Sequence, residues 1–335
     1  MIIVKLKKNN RELLINYLKK NFKKKHILYN SKKLFNWQYQ SKKDYNFYVI
    51  KEKNKIKAAQ GFIPTNRYDK NLKDDTIFMS IWSSSKISLG SKLFFNFIEK
   101  IKFNLLVGLG SSRESFLFQK MLNFNCGYMD HYFLASKLKQ KLILSPSNFS
   151  NTKSESIIKN FKKLNNEKKL LEISNDIFKN QYPRKSKVYF LNRYLKHPFY
   201  KYHLYKINEK KKTLALFVFR ICKYQNSSAI RIVDFVGEKN FFKNGKYLFR
   251  YLLKKYNSEF IDIYSYGIPK KILEKSGLEN IKKYTNKKVI VPNYFEPFLQ
   301  KNIKLPYAFK SSREIKNKVK LFKGDSDLDR PNFIK

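Results

Sequence analysis

Ser83-Ser-Ser-Lys-Ile-Ser-Leu-Gly90 is a run of mostly small residues with one lysine, set between a short apolar run and a stretch with apolar residues at helical spacing. Backbone amides at a helix N-terminus can hold phosphate, because small residues let the chain approach and the helix dipole favours negative charge. The run is therefore a candidate seat for a phosphate-bearing cofactor. Most strand-to-helix loops bind nothing, so the loop alone leaves both readings open. A second set is Arg220, Arg231 and Asp234, charged residues inside otherwise apolar runs. Such residues either face solvent at a strand edge or line a polar pocket. In the pocket reading Arg220 and Arg231 hold an anionic substrate group and Asp234 takes a proton. The third set is the tail, Gly324-Asp-Ser-Asp-Leu-Asp-Arg-Pro-Asn332. Asp325, Asp327 and Asp329 alternate as in a calcium loop, but the pattern lacks the glycine at its sixth position and the glutamate at its twelfth. Two readings remain: an acidic latch docked on the lysine-rich body, or the lining of an acceptor site in which the aspartates are candidate bases.

These residues need elements to position them. Phe78–Trp82 reads as a strand and Ser83–Gly90 as a loop. Ser91–Lys102 reads as a helix with Leu93, Phe94, Phe97, Ile98 and Ile101 on one face. Asn104–Leu109 is a second apolar run and Ser115–Leu122 a second short helix, giving a βαβα unit with a right-handed crossover. Ahead of it stand a short strand (Ile2–Leu6), a helix from Arg11 to Phe22 and two strands, Tyr45–Ile50 and Lys55–Pro64. After it Tyr128–Ala135 reads as a closing strand. Residues 142–175, rich in Ser, Asn and Lys, read as a linker with one helix at Glu155–Leu164. The plan then repeats: strands at Tyr202–Ile207, Leu214–Cys222 and Ala229–Val236, a helix at Phe241–Lys255, a strand at Phe260–Tyr264 and a helix at Ile268–Leu278.

With 335 residues the chain is long enough for two domains, and an aromatic content of 16% is enough to build their cores. The formal charge is +47. Charge alone points to nucleic acid. Yet only ten of the basic residues are arginine and 62 are scattered lysines. Arginine is the side chain that grips phosphate bidentately and reads bases, so nucleic-acid binding is not the expected function. A positive surface would still attract anionic cofactors and nucleotide-sugars. Two distant cysteines, Cys126 and Cys222, make neither a disulfide framework nor a zinc spacing. No metal is expected. No apolar run is long enough to span a membrane and no leader is apparent, so a cytoplasmic location is expected.

Order and spacing around Ser85 resemble the core of the GNAT-type acyl-CoA N-acyltransferases. Ser85-x-x-Ser88-x-Gly90 stands where that family has a pyrophosphate-binding Arg/Gln-x-x-Gly-x-Gly/Ala turn. Phe118-Gln-Lys-Met-Leu-Asn-Phe124 stands at its closing signature, with Phe118 where the family often has a tyrosine that protonates the leaving thiolate. Leu34–Tyr39 is similar to a Phe-x-Trp-x-Tyr stretch of GNAT-like proteins from surface-polysaccharide and sugar-biosynthesis clusters, and Lys55–Pro64 to the strand after it. The strands around Arg220 and Asp234 and the acidic tail are similar to the same group. Fem-type aminoacyltransferases are more distantly similar.

The resemblance implies an α/β fold with mixed sheets: two GNAT-like acyl-CoA N-acyltransferase domains in tandem. One would cover residues 1–140 and the other 181–335 with its acidic tail, joined by a linker over 141–180. It implies acyl-CoA, acetyl-CoA first, as co-substrate. The pantetheine arm would lie along Ile81, Trp82 and Ser83, and the pyrophosphate on the amides from Ser84 through Lys86, Ser88, Leu89 and Gly90 to Ser91. The acceptor would be a small amine, first of all a nucleotide-linked amino sugar, met by Trp37, Tyr39, Arg220, Arg231, Asp325 and Asp327, with Asp234 as the catalytic candidate. Two alternatives stand beside it: a non-catalytic binding protein of the same fold, and a protein that binds aminoacyl-tRNA or other RNA.

Overall fold

The computed structural model describes residues 1–332 apart from 24, 74–75, 152–160, 165, 180, 210–211 and 238–240. It divides into two units. The first comprises Met1–Cys126, Tyr307–Arg313 and the described chain from Arg330. Its elements are β1 (Ile2–Lys7), α1 (Arg11–Asn21), α2 (Ile27–Asn30), α3 (Lys32–Tyr39), β2 (Asp44–Glu52), β3 (Lys55–Pro64), β4 (Thr76–Ser84), α4 (Ile87–Lys100), β5 (Leu105–Leu109) and α5 (Arg113–Met121). β6 (Asn125–Tyr128) follows. Alternation decides what β4 presents. Ile77 and Met79 meet Phe94 and Phe97 of α4, together with Phe62 and Leu106. Phe94 and Phe97 are at most 1% exposed, and burying each contributes about 2–3 kcal/mol. The opposite face carries Tyr39, Phe35 and Phe47, ring against ring.

The second unit comprises Gly127–Pro306 and Glu314–Asp329. Its elements are β7 (Asp130–Ala135), β8 (Phe161–Leu164), α6 (Glu167–Leu171), α7 (Lys187–Phe190), β9 (Tyr202–Glu209), β10 (Lys212–Tyr224), β11 (Ser227–Gly237), α8 (Phe241–Lys255), β12 (Phe260–Tyr266), α9 (Lys270–Lys275) and β13 (Glu279–Asn280). A small hairpin of β14 (Tyr294–Phe295) and β15 (Phe298–Leu299) comes next. β16 (Pro306–Ser311) then completes the first unit's sheet, and α10 (Arg313–Lys316) and β17 (Leu321–Phe322) close the list. One sheet runs β1-β2-β3-β4-β5-β16-β6 and the other β13-β7-β12-β11-β10-β9-β8, with β17 beside β12. On one face of the second sheet Leu248, Phe249 and Leu252 of α8 cover Phe217, Phe219, Ile230, Ile232, Ile261 and Ile263.

Several expected boundaries move. The strand expected to close the first domain, β7, pairs with β12 and lies in the second unit, while β16 pairs with β5 in the first. The boundary expected at residue 140 therefore falls at 126/127. The start of the expected 141–180 linker is packed: Ile143 and Leu144 are at most 1% exposed. The Glu259 carboxylate accepts the amides of Leu142, Ile143 and Leu144 at 2.6–3.1 Å, which fixes this stretch. Of the helix expected at Glu155–Leu164, residues 155–160 lie outside the described residues and Phe161–Leu164 is strand β8. The helix expected from Ser91 begins four residues earlier, at Ile87.

Candidate functional site

In the first unit β4 and β5 run parallel only over Thr76–Met79 and Leu105–Gly108. β4 continues to Ser84, still paired with β3 as far as Ala58–Ser84. The register slips between Gln60–Trp82 and Phe62–Met79, so β4 carries one residue more than β3 and bulges at the point where β5 leaves it. Beyond Met79 the β4 edge facing β5 has no strand partner among the described residues. The result is a split in the sheet, with main-chain donors and acceptors along Ser80–Ser84. Gly61 makes room at the bulge: a Cβ there would come within 2.7 Å of Ser80 Oγ and of the Phe47 ring.

The split leads to the N-terminus of α4. Lys86 is its extended N-cap (φ −142°, ψ 145°) and offers no side-chain cap. The amides of Leu89 and Gly90 donate to the Lys86 carbonyl at 3.2 and 3.1 Å. Those of Ile87 and Ser88 have no acceptor within the helix. Lys86, Ile87 and Ser88 are exposed, Ile87 at 89%. Of the residues expected to hold a cofactor, Ile81, Trp82, Ser83 and Ser84 thus lie on the free-edged part of β4. Lys86 is the helix N-cap, and Ser88, Leu89 and Gly90 lie in its first turn where a loop was expected, with Ser91 next in the helix. Gly90 is buried, and a Cβ on it would lie 2.7 Å from Ser84 Oγ, so its smallness lets α4 press against β4. Trp82 lies against Phe94 and Phe118 at 5.1 and 5.3 Å between ring centroids. Phe118 is thereby a packing residue.

Trp37 and Tyr39 sit on α3, which Ser31 caps by accepting the Leu34 amide at 3.1 Å. The Trp37 ring is half-buried beside Tyr68. Tyr39 is fully buried, and its hydroxyl donates to Ser80 Oγ at 3.1 Å.

The second unit repeats the split and then fills it. β11 and β12 pair only over Ile230–Ile232 and Ile261–Ile263. Into the gap comes the tail. β17 pairs with Ser265 and Tyr266 of β12, and the Gly324 amide donates to the Val233 carbonyl of β11 at 2.6 Å. A Cβ on Gly324 would lie 2.5 Å from the Tyr194 hydroxyl and 2.6 Å from the Val233 oxygen, so only glycine fits. Arg193 donates to the carbonyls of Gly324 and Ser326 at 2.9 and 3.3 Å.

The charged residues singled out in this half all have partners inside the unit. Asp234 is fully buried and receives Lys185 at 2.7 Å, the Tyr194 hydroxyl at 2.6 Å and the Phe235 amide at 2.8 Å. Lys185 also pairs with Asp325 at 2.8 Å. Burial opposes charge on Lys185, but the two carboxylates hold its ammonium above the ordinary lysine range. Asp325 is pushed up to about 6, by burial first and by Asp234, with Lys185 pulling the other way. Arg220 donates from Nε to both Asp329 oxygens at 2.9 and 3.1 Å, and Tyr202 donates to the same carboxylate at 2.7 Å. Arg231 forks onto Asp262 at 3.0 and 2.7 Å, with His131 on the other side at 3.0 Å. Burial alone would raise the Asp262 carboxyl, but Arg231 and His131 hold it well below the usual carboxylate range. Asp327 is 8% exposed. The expected pocket for an anionic group is thus occupied by the protein's own carboxylates.

Sequence reasoning missed Lys185, Lys323 and Ser80. Lys185 and Lys323 are two of 62 lysines and nothing local marks them as buried. Lys323 is bonded to the Asn293 side chain, and burial with Arg231 close by holds its amine well below the usual lysine range. Ser80 had one signal: a hydroxyl at mid-strand in an apolar run.

No protein-family model and no curated protein matches the chain. Solved structures do. A GCN5-related N-acetyltransferase from Anabaena variabilis superposes with a TM-score of 0.56 at 12% identity, covering 92% of this chain and 72% of its own. A candidate acetyltransferase from Pyrococcus horikoshii gives 0.51 at 11%, covering 96% and 92%. A conserved protein of Enterococcus faecalis described as a probable N-acyltransferase gives 0.53 at 8%, covering 91% and 72%. The chain has the GNAT-like acyltransferase fold, and the likeness extends over both units.

Proposed function

We propose that this chain with the N-acetyltransferase fold is an acyl-CoA-dependent N-acyltransferase whose co-substrate cleft lies in the first unit. One observation carries the choice of unit. Among the described residues the β4–β5 split is free of any strand and opens toward an exposed, uncapped helix N-terminus, whereas the β11–β12 split is filled by β17 and Gly324. In this reading the free amides of Ile87 and Ser88, the dipole of α4 and the Lys86 ammonium take the pyrophosphate. The pantetheine arm adds as a short strand along Ile81–Ser83. The bulge at Ser80 sets the depth at which the thioester sits, and a main-chain amide there is placed to hold the developing oxyanion. The acceptor amine attacks the thioester carbon, nitrogen binds carbon, and the carbon–sulfur bond breaks.

Acetyl-CoA is the first donor to try. The acceptor reading goes further: a nucleotide-linked amino sugar of a glycan pathway, supported by the similarity of Leu34–Tyr39 and of the tail to sugar-cluster proteins and by the +47 charge that draws anionic substrates. Trp37, half-exposed on α3, is then the contact for the acceptor. Arg220, Arg231, Asp234 and Asp325 are assigned to holding the tail and the second sheet together.

Calorimetric titration with acetyl-CoA tests the reading, with CoA at two salt concentrations as control. The expected result is saturable binding at about one molecule per chain. In the Gly90→Asp variant binding is lost, because the carboxylate repels the phosphates and the new Cβ pushes α4 off Ser84. Two molecules per chain would reopen the second unit. Absence of binding to the wild type would end the acyl-CoA reading. Phe118, which lacks a hydroxyl, favours one second reading, a binding protein without turnover; binding with no acyl transfer to any amine would establish it.

A further inference from the structure

N-acyl transfer from a thioester needs an acid for the departing sulfur, and Phe118 has none to give. Two hydroxyls stand where β4 and β5 part. Ser80 is the first residue beyond the last β4–β5 pair, Met79–Gly108, and it lies in the bulge that the missing Cβ of Gly61 makes possible. It is half-buried. Tyr39 stands behind it, fully buried, with its ring 5.3 Å from Phe35 and 4.6 Å from Phe47. Its hydroxyl donates to Ser80 Oγ at 3.1 Å. The direction of that bond matters. With Ser80 Oγ as acceptor, the serine's own proton is left to donate, and none of the described residues receives it. The packed ring fixes the tyrosine, so the serine is held by a rigid element.

We propose that Ser80 is the catalytic acid for the leaving thiolate and Tyr39 the positioning residue that resupplies its proton. The inference rests on the acyl-CoA reading given above. As the carbon–sulfur bond breaks, its electron pair goes to sulfur and Ser80 Oγ–H gives sulfur a proton. Ser80 takes the Tyr39 proton in the same motion. The phenolate left on Tyr39 is neutralised by the proton that the new amide nitrogen loses. Thioester and amine become amide and thiol, with no other reactant.

The test uses the full chain, CoA and desulfo-CoA. Thiolate absorbance of bound CoA is followed against pH in the wild type, Ser80→Ala and Tyr39→Phe, and affinity for desulfo-CoA is measured for all three. A donor aimed at sulfur stabilises the thiolate, so the bound thiol ionises about one pH unit lower in the wild type than in Ser80→Ala. Tyr39→Phe falls between them, and all three bind desulfo-CoA alike. The desulfo-CoA measurement also shows that each variant is folded. If the Ser80→Ala curve overlays the wild type, Ser80 is not the acid and the acyl-CoA reading survives. If the wild type binds neither CoA nor desulfo-CoA, both fall.

Discussion

Lys185 lies between two carboxylates, Asp234 and Asp325, and none of the three side chains is exposed. Burial first, and then the Asp234 charge that one ammonium cannot also neutralise, drive Asp325 up to about 6. Removing the cation would leave both anions buried and unpaired. Lys185→Met is therefore expected to cost about 3–5 kcal/mol in urea unfolding. Asp325→Asn should behave in the opposite way. A folded pKa above the unfolded one means that the folded state holds its proton longer, so Asp325 weakens the fold as pH rises from about 4 through about 6. The asparagine has no proton to lose and can still accept the Phe322 amide, now received by Asp325 at 2.8 Å. The variant should equal the parent at pH 4 and exceed it at pH 7. A variant weaker at pH 7 would mean that the Asp325 charge is needed to hold Lys185.

At the level of elements, the device to explain is the tail strand. β17 is only two residues long, yet it seals the split that the parallel pair β11 and β12 leaves open. Its fit depends on Gly324, whose missing Cβ lets the chain come within 2.6 Å of Val233 O. Gly324→Ala should destabilise the chain by about 1–3 kcal/mol, because the tail must back away from β11 and from Tyr194. Hydrogen exchange checks it: amides of β11 and β12 should lose protection, while those of β4 keep theirs. Elements set by local pattern were legible beforehand. Lys55–Pro64 and Phe241–Lys255 have the expected ends because alternation and helical spacing specify them. The start of α4 was not legible, since Ser88 and Gly90 are poor helix formers that here occupy a first turn. Nor was the crossing of β7 and β16 into the other unit's sheet, because partner choice between strands is long-range and leaves no local mark. The aspartates of the tail were legible as a latch or a lining. Only the lysine and arginines opposite them decide for the latch, and Lys185 lies 140 residues from Asp325 in sequence.

For the whole molecule, a charge of +47 predicts strong self-repulsion, yet the sharpest pH response should come from buried histidines, of which His26 and His197 are two. His26 in the first unit accepts the Leu28 amide on Nδ1 and has Arg330 Nη2 2.9 Å from Nε2. Both neighbours are donors, so the neutral ring can accept from one of them and the imidazolium from neither. Burial first, then Arg330 and Lys23, lower its pKa to about 3. His197 in the second unit accepts the amides of Phe199 and Tyr200 on Nδ1 at 3.2 and 2.9 Å, and burial with Arg193 lowers it to about 3 as well. The sign follows directly. Below pH 6.5 the unfolded chain binds protons that the folded chain refuses, so stability is lost as pH falls from about 6.5 toward 3. At pH 5 each histidine should account for about 2 kcal/mol of that loss. Urea unfolding at pH 7 and pH 5 measures it. Replacing both by glutamine, which retains an acceptor but cannot protonate, should shrink the difference between the two conditions. Burial lowers His131 and His203 as well, so the double variant should keep part of the acid-side loss, with the Asp325 contribution opposing it. A wild type equally stable at pH 7 and pH 5 would mean that both rings are solvated enough to protonate in place.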